Sequence, residues 1–427
     1  MFKIFSLLLF PLLLLSTNIK VASYNVENLF DMVYDGHEYK AYIPNQHKWN
    51  KKNFQKKLLN ISEVICDLNA DIIGLQEIEN KNVLKQLQKS LKKVGCSYKY
   101  LAITHKKKSA IQVAILSRFP IQKSYEVVVK RSLKYRNILE VKYMFEGNPL
   151  YIYVNHWTSK RSKESKRISS AKALKERLLL LPKGSEYILL GDFNSDYDEY
   201  LHIENKHNDT HGKTGMNHIL KTINNKGNFF RTFSLKKEYF SHYNLWLELE
   251  NYKRWSHNFY GKKQALDAII IPSTLFDGKG IDYVDNSFRV MKKNYLFHKK
   301  GYIFRWEYKK KRHKGRGYSD HLPLMATFST TQKFQKEKIH KMEGLIDWLY
   351  REKLKFPLFL KKIKVIVIEK NKVIVSQKKS KKKIAIYGTK DALSLGKEYD
   401  LMVYKRKLYK GEYEIIDFEI EKRYDSF

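Results

Sequence analysis

The residues of this chain best suited to chemistry stand at the ends of short apolar runs. In YILLGDFNSDYD the run stops at Gly191, and Asp192 and Asn194, two positions apart, then project on one side. The turn-forming habit of Asp and Asn explains their identity but not the uninterrupted run that aims them. In QALDAIII, Asp267 breaks an otherwise apolar run, and a carboxylate buried that way needs a partner. GRGYSDHLPL sets Ser319, Asp320 and His321 between a glycine-containing loop and another apolar run. Asp267 beside His321 would fix the imidazole tautomer and hold its proton longer.

Three further stretches share this form. YIYVNHWTSKRS puts His156 directly after a run, DIIGLQEIEN delivers Glu77 from behind four apolar positions, and in VASYNVENLFD Asn25 leaves a run with Glu27 and Asn28 following. Each alone has an ordinary explanation: a satisfied structural histidine, a strand-end carboxylate, a turn-forming asparagine. Together they are the residue types that phosphodiester hydrolysis requires, namely groups to align a water, to hold a hard cation against the phosphate, and to give the leaving oxygen a proton.

Positioning such residues takes strands whose ends converge. Strand-like runs are expected at 20–25, 71–76, 112–117, 138–143, 151–155, 187–190, 266–271 and 324–328, and amphipathic helices at 54–68, 84–91 and 169–181. The pattern predicts two sheets with covering helices over residues 19–330. A polar helical linker is expected over 331–352. From 353 to 427 short strand-like runs with hairpin-length breaks predict a small all-β barrel of the OB type, suited to single-stranded nucleic acid or to docking. Residues 1–18, a charged start, an apolar block and a small-polar exit, read as a secretory signal peptide; an uncleaved segment would instead be a membrane anchor.

The ordered series Asn25, Glu77, His156, Asp192–Asn194, Asp267 and Ser319–Asp320–His321, each in its strand context, resembles the motif series of the endonuclease/exonuclease/phosphatase superfamily typified by deoxyribonuclease I. RWSHNFYGKKQALDAIII further resembles secreted bacterial endonucleases of that superfamily. The resemblance implies a four-layered α/β sandwich and Mg2+ or Mn2+ dependence. Carried over, Asn25 and Glu77 would hold the ion with help from Asp320. Asp192 and Asn194 would orient the attacking water, and His156 and His321 would bind the phosphate and move protons, His321 being buttressed by Asp267. Which histidine is acid and which base stays open.

The charge balance agrees with an acidic substrate: 82 Lys and Arg against 44 Asp and Glu give +38 over 427 residues. Nucleic acid, DNA in the first place, is the expected partner, with no obligate protein partner. Arg136 and the cluster Lys160, Arg161, Lys163, Lys166 and Arg167 are candidates for backbone phosphates. The histidines between 202 and 218 fit no ligand spacing and are expected in an exposed loop. Cys66 and Cys96 suit either a pair in an oxidising compartment or buried thiols. An enzyme acting on lipid headgroups is the main rival, with Trp246 and Trp255 as possible membrane contacts, and a binding protein that has lost its chemistry is the second.

Overall fold

A computed structural model describes residues 17–225, 227–232, 235, 240–332, 342–354, 356–369, 372–387 and 393–424. The expected signal peptide therefore falls outside the described residues up to position 16, and Asn18 already opens the first strand.

In chain order the body contributes β1 (Asn18–Leu29), α1 (Lys51–Leu68), β2 (Ile72–Ile78), α2 (Lys81–Lys93), β3 (Tyr100–Ile103), β4 (Gln112–Ser117), β5 (Lys123–Val127) and β6 (Ile138–Phe145). There follow β7 (Asn148–His156), α3 (Glu164–Leu179), β8 (Glu186–Asp192), β9 (His242–Asn244), β10 (His257–Phe259), β11 (Lys262–Gln264) and β12 (Asp267–Pro272). Short β13 (Asp282–Tyr283), β14 (Arg289–Val290), β15 (Tyr308–Lys309) and β16 (Arg312–His313) precede β17 (Leu324–Ser329), which closes the body.

Two sheets result. One runs β13-β17-β1-β2-β4-β3 and the other β5-β6-β7-β8-β12-β9. Their facing sides share one core, in which Val21, Ile72 and Ile115 of the first meet Ile152, Leu190 and Ile269 of the second, all fully buried. The helices complete four layers. Ile61, Ile65, Leu84 and Leu87 of α1 and α2 pack with Tyr24, Ile73 and Leu75 on the outer side of the first sheet. Ala171, Leu174 and Leu178 of α3 pack against the second. Each buried Leu or Ile side chain is worth about 1.5–3 kcal/mol. Side chains at Asn50 and Asn80 cap the starts of α1 and α2. Cys66 and Cys96 form a disulfide between α1 and the turn after α2, which resolves the open alternative.

The tail differs from expectation at its start. Residues 333–341 of the expected helical linker lie outside the described residues. Beyond them a strand, β18 (Met342–Gly344), pairs with the next strand, and a 3-10 turn at Ile346–Tyr350 buries Ile346 and Leu349 in the barrel core. Strands β19 (Leu358–Ile368), β20 (Lys372–Gln377), β21 (Ile384–Tyr387), β22 (Glu398–Tyr409) and β23 (Glu412–Tyr424) follow the order β19-β20-β21-β23-β22, and β19 pairs β22 to close a five-stranded barrel.

Candidate active site

Both sheets send strand ends to one rim. β7 and β8 are parallel with His156 opposite Asp192, and β12 lies antiparallel to β8 with Asp267 opposite Asp192. Gly191, at φ +133°, makes this possible: a Cβ there would stand 2.1 Å from the Asn155 carbonyl oxygen. On the other sheet β1 shifts register between Asn25 and Leu29, and β2 between Gln76 and Ile78. These bulges hold Glu27, Asn28 and Glu77 at φ 52°, 61° and 66°, and Asn194 lies at 49°. Non-glycine residues seldom adopt such angles, and bulges re-aim side chains at a sheet rim.

The re-aimed side chains meet across the gap between the sheets. Asn25 Nδ2 donates to Glu77 Oε1 at 3.2 Å and to Asp192 Oδ2 at 3.1 Å. His156 Nε2 lies 3.7 Å from Glu77 Oε1 and 3.5 Å from Asp192 Oδ2. Asn194 donates its backbone N–H to Asp192 Oδ1 at 2.8 Å and its amide to Asp192 Oδ2 and to the Trp157 carbonyl, both at 3.1 Å. His321 Nδ1 is 2.7 Å from Asp267 Oδ2, which also accepts from Ser256 Oγ at 2.6 Å. Its Nε2 thereby faces the site, 3.9 Å from Asp320 Oδ1. Ser319 Oγ binds the Asn25 carbonyl at 2.7 Å and ties the last motif to the first.

The two histidines are driven apart. Burial, aided by the charges of Arg136 and His321, holds His156 well below the usual imidazole range, so it is neutral. For His321 burial works against the charge but is outweighed by Asp267, with Asp192 and Asp320 adding, so it is raised well above that range and stays protonated. Opposed shifts of this kind assign different proton roles to paired groups. His321 suits phosphate binding and proton donation, and His156 suits acceptance.

Glu77 and Asp192 are hydrogen-bonded by amides rather than by cations, whereas Glu27 and Asp320 share Arg305. Burial pushes Asp192 up to about 7. Glu27 rises to about 7 and Glu77 also rises, through burial first and then through Asp320. Asn25, Glu77 and Asp320 offer oxygen donors, as Mg2+ or Mn2+ requires, and among the described residues Glu77 forms no ion pair with a Lys or Arg, so the residues fit such an ion. Bound there, the ion would absorb charge developing on a phosphate oxygen.

Placement of the expected phosphate contacts is mixed. Arg136 donates to the Trp157 carbonyl at 2.9 Å and acts electrostatically on Tyr39, Glu77 and His156, so it belongs to the site rim. Lys160 is held by Asp196 at 2.7 Å and Glu199 at 2.6 Å. Lys163 donates to the Lys206 carbonyl at 2.8 Å, and Arg161 is exposed. Arg167 is fully buried in an ion pair with Glu164 at 2.6 Å, which removes it from contact with any ligand outside. Among the 202–218 histidines, His202 is not simply solvated: its Nε2 lies 3.6 Å from Asp196.

Sequence reading missed Arg305. Its Nε donates to Glu27 Oε1 at 2.9 Å and its Nη2 lies 3.2 Å from Asp320 Oδ2. Gly317, at φ +92°, allows the approach, since a Cβ there would meet the Arg305 carbonyl oxygen at 1.9 Å. Lys57 is fully buried over the Trp306 ring, 5.0 Å from its centroid, and burial lowers it to about 8. His257 packs on His321 with ring centroids 4.8 Å apart. Arg305 interrupts no pattern in YIFRWEY, whereas Glu27 sat visibly inside the first motif.

With this rim assembled, the match of residues 20–330 to the model of the endonuclease/exonuclease/phosphatase family has its structural counterpart. The chain belongs to that family, whose members hydrolyse phosphoesters. Solved structures similar to it include humanized D. rerio TDP2 carrying 14 mutations (14% identity, 73% of this chain and 98% of that one, TM-score 0.46). D. rerio TDP2 complexed with a single-strand DNA product gives 14% identity, 73% and 99% coverage and TM-score 0.46. A family protein from Leptotrichia buccalis gives 16%, 72% and 98%, and 0.42. No curated protein sequence matches.

Proposed function

We propose that this protein is a divalent-metal-dependent phosphodiesterase that cleaves nucleic acid, as a DNA endonuclease, outside the cytoplasm. The observation that carries the reading is the uninterrupted constellation at the rim: Asn25, Glu77, His156, Asp192 and Asn194 in one network, with the Asp267–His321 pair within 4.8 Å of Asp192. Asp192 and Asn194 orient the water, neutral His156 takes up or relays its proton, and protonated His321, held by Asp267, binds the phosphate and donates its proton to the leaving oxygen as the P–O bond breaks. Arg136 and Arg305 lie at the edges, where adjacent phosphates of a polymer would fall.

The +38 charge supports a polyanion, and export is supported by the apolar N-terminal block and the Cys66–Cys96 disulfide. The lipid-headgroup reading loses its sequence motive, because Trp246 is fully buried and Trp255 is 8% exposed. Among the described residues no helix is long and apolar enough to cross a membrane. The loss-of-chemistry reading has no missing residue to rest on.

The deciding experiment incubates the purified chain with plasmid DNA, RNA and sphingomyelin, each with Mg2+ and with chelator. Chelator-sensitive nicking of plasmid is the expected result. Intact plasmid beside cleaved RNA or lipid would replace DNA as the substrate, and no reaction with any of the three would refute catalysis.

A further inference from the structure

A second group of carboxylates lies outside the catalytic network. The loop after β1 carries Asp31, Asp35 and Glu38, and Glu79 follows β2. Carboxylate oxygens of Asp35, Glu38 and Glu79 lie within 4.8 Å of one another. Asp31 is brought to the same place by its backbone N–H, which donates to Glu79 Oε2 at 2.7 Å.

Proximity of acids alone would mean little. Glu79, however, is only 2% exposed, and its Oε1 is buried without a hydrogen-bond partner. A buried carboxylate oxygen without a partner is costly unless something pairs with it. No Lys, Arg or His side chain forms an ion pair with any of the four acids among the described residues, although the chain carries +38. His37 turns its Nδ1 to the Asp35 carbonyl instead, at 3.0 Å. The neutral donors present are Asn82, to Asp31 Oδ2 at 2.7 Å, Asn80, to Asp35 Oδ2 at 3.4 Å, and the backbone N–H groups of Val33, to Asp31 Oδ1 at 2.7 Å, and of Asp35 and Gly36, to the two oxygens of Glu38. None of them reaches Glu79 Oε1.

We propose that Asp35, Glu38 and Glu79, with Asp31 beside them, form a calcium site that fastens the loop after β1 to the end of β2. The ligands are all hard oxygens, which excludes a soft metal. They come from two separate segments and include an exposed loop carboxylate, which suits the larger, adaptable shell of Ca2+ better than the strict octahedron of Mg2+. Tyr39 directly follows this loop and its phenol lies in the field of Arg136 and Glu77 at the catalytic rim. Calcium here therefore sets the position of one wall of the active site without entering its chemistry. The proposal rests on the carboxylate geometry and stands whether or not the catalytic reading does.

The test is calorimetric titration of the full chain with Ca2+ in saturating Mg2+. Expected is a single calcium per chain that persists in Glu77→Gln, where the catalytic ion site is impaired, and weakens by about ten-fold or more in Asp35→Asn/Glu38→Gln. Both of the latter positions are at least partly exposed, so the fold is not at stake. Limited trypsin digestion gives a second readout: calcium should slow cutting at Lys40 in the parent chain and not in the double variant. Absence of calcium binding in the presence of Mg2+, its loss in Glu77→Gln, or its survival at full strength in the double variant would each overturn the site.

Discussion

Two places in this molecule bury several charges together, and they solve the cost in opposite ways. At the seam between body and barrel, Asp417 Oδ1 meets Arg254 Nη2 at 2.8 Å and Arg231 Nη2 at 3.5 Å. Glu419 takes Arg231 Nε at 2.8 Å on one oxygen and the Tyr404 hydroxyl at 2.9 Å on the other. Arg231 stacks on Tyr404 and Arg254 on Tyr197. Every acid there has an internal cation. At the catalytic rim Asp267 has His321, and Glu27 and Asp320 share Arg305, but Glu77 and Asp192 are answered chiefly by asparagine amides and a neutral histidine. Charge cancelled inside the protein holds parts together; charge left uncancelled is a place prepared for a ligand.

The comparison breaks most visibly on catalysis. Glu77→Gln and His156→Ala should each lower cleavage by on the order of 10²–10⁴ while DNA binding, measured by filter retention, and the urea midpoint change little. Normal turnover in either variant would remove the site assignment. The seam should answer the other way. Arg254→Ala strips Asp417 of its nearest partner and should cost roughly 3 kcal/mol of unfolding free energy in urea titration, with kcat/KM per folded molecule within a few-fold of the parent. A seam variant that kept its stability and lost turnover would show that the barrel belongs to the catalytic apparatus.

How far the sequence revealed this contrast depends on what kind of signal each residue leaves. Asp192, Asp267 and His321 interrupt or terminate apolar runs, and periodicity alone exposes such residues. All eight expected strands of the body are present, because buried strands write continuous apolar runs. Arg305, Lys57 and the seam residues leave no such mark. Arg231 and Asp417 are far apart in the chain, and their pairing is a product of tertiary packing. The linker failed for a related reason: Ile346, Leu349 and their polar neighbours mimic one side of a helix, yet the barrel core claims the apolar pair. Lys160 and Arg167 looked like phosphate contacts because sequence shows a basic cluster but not the acids, Asp196, Glu199 and Glu164, that fold against it.

A third way to bury a titratable group is to keep it neutral, and its effect appears only as pH falls. His242 is fully buried, with Nε2 2.8 Å from the Tyr187 hydroxyl and Nδ1 against the Leu220 carbonyl. Burial lowers it to about 4. Its folded value lies below the unfolded one near 6.5, so unfolded chains take up a proton first as pH falls. The stability it contributes is complete above about pH 6.5 and drains away toward pH 4, by about 3 kcal/mol for this residue. Buried His313, also lowered to about 4 by burial, acts in the same direction. Urea unfolding across that window should show the decline, and His242→Gln, whatever its absolute stability, should flatten the slope. The arginines at the seam keep their charge throughout, so the paired cluster adds nothing to the slope through its cations. An unchanged slope in His242→Gln would mean that the acid sensitivity originates elsewhere, at His313 or at the catalytic rim, where His257 is likewise lowered to about 4 by burial and then by the charge on His321.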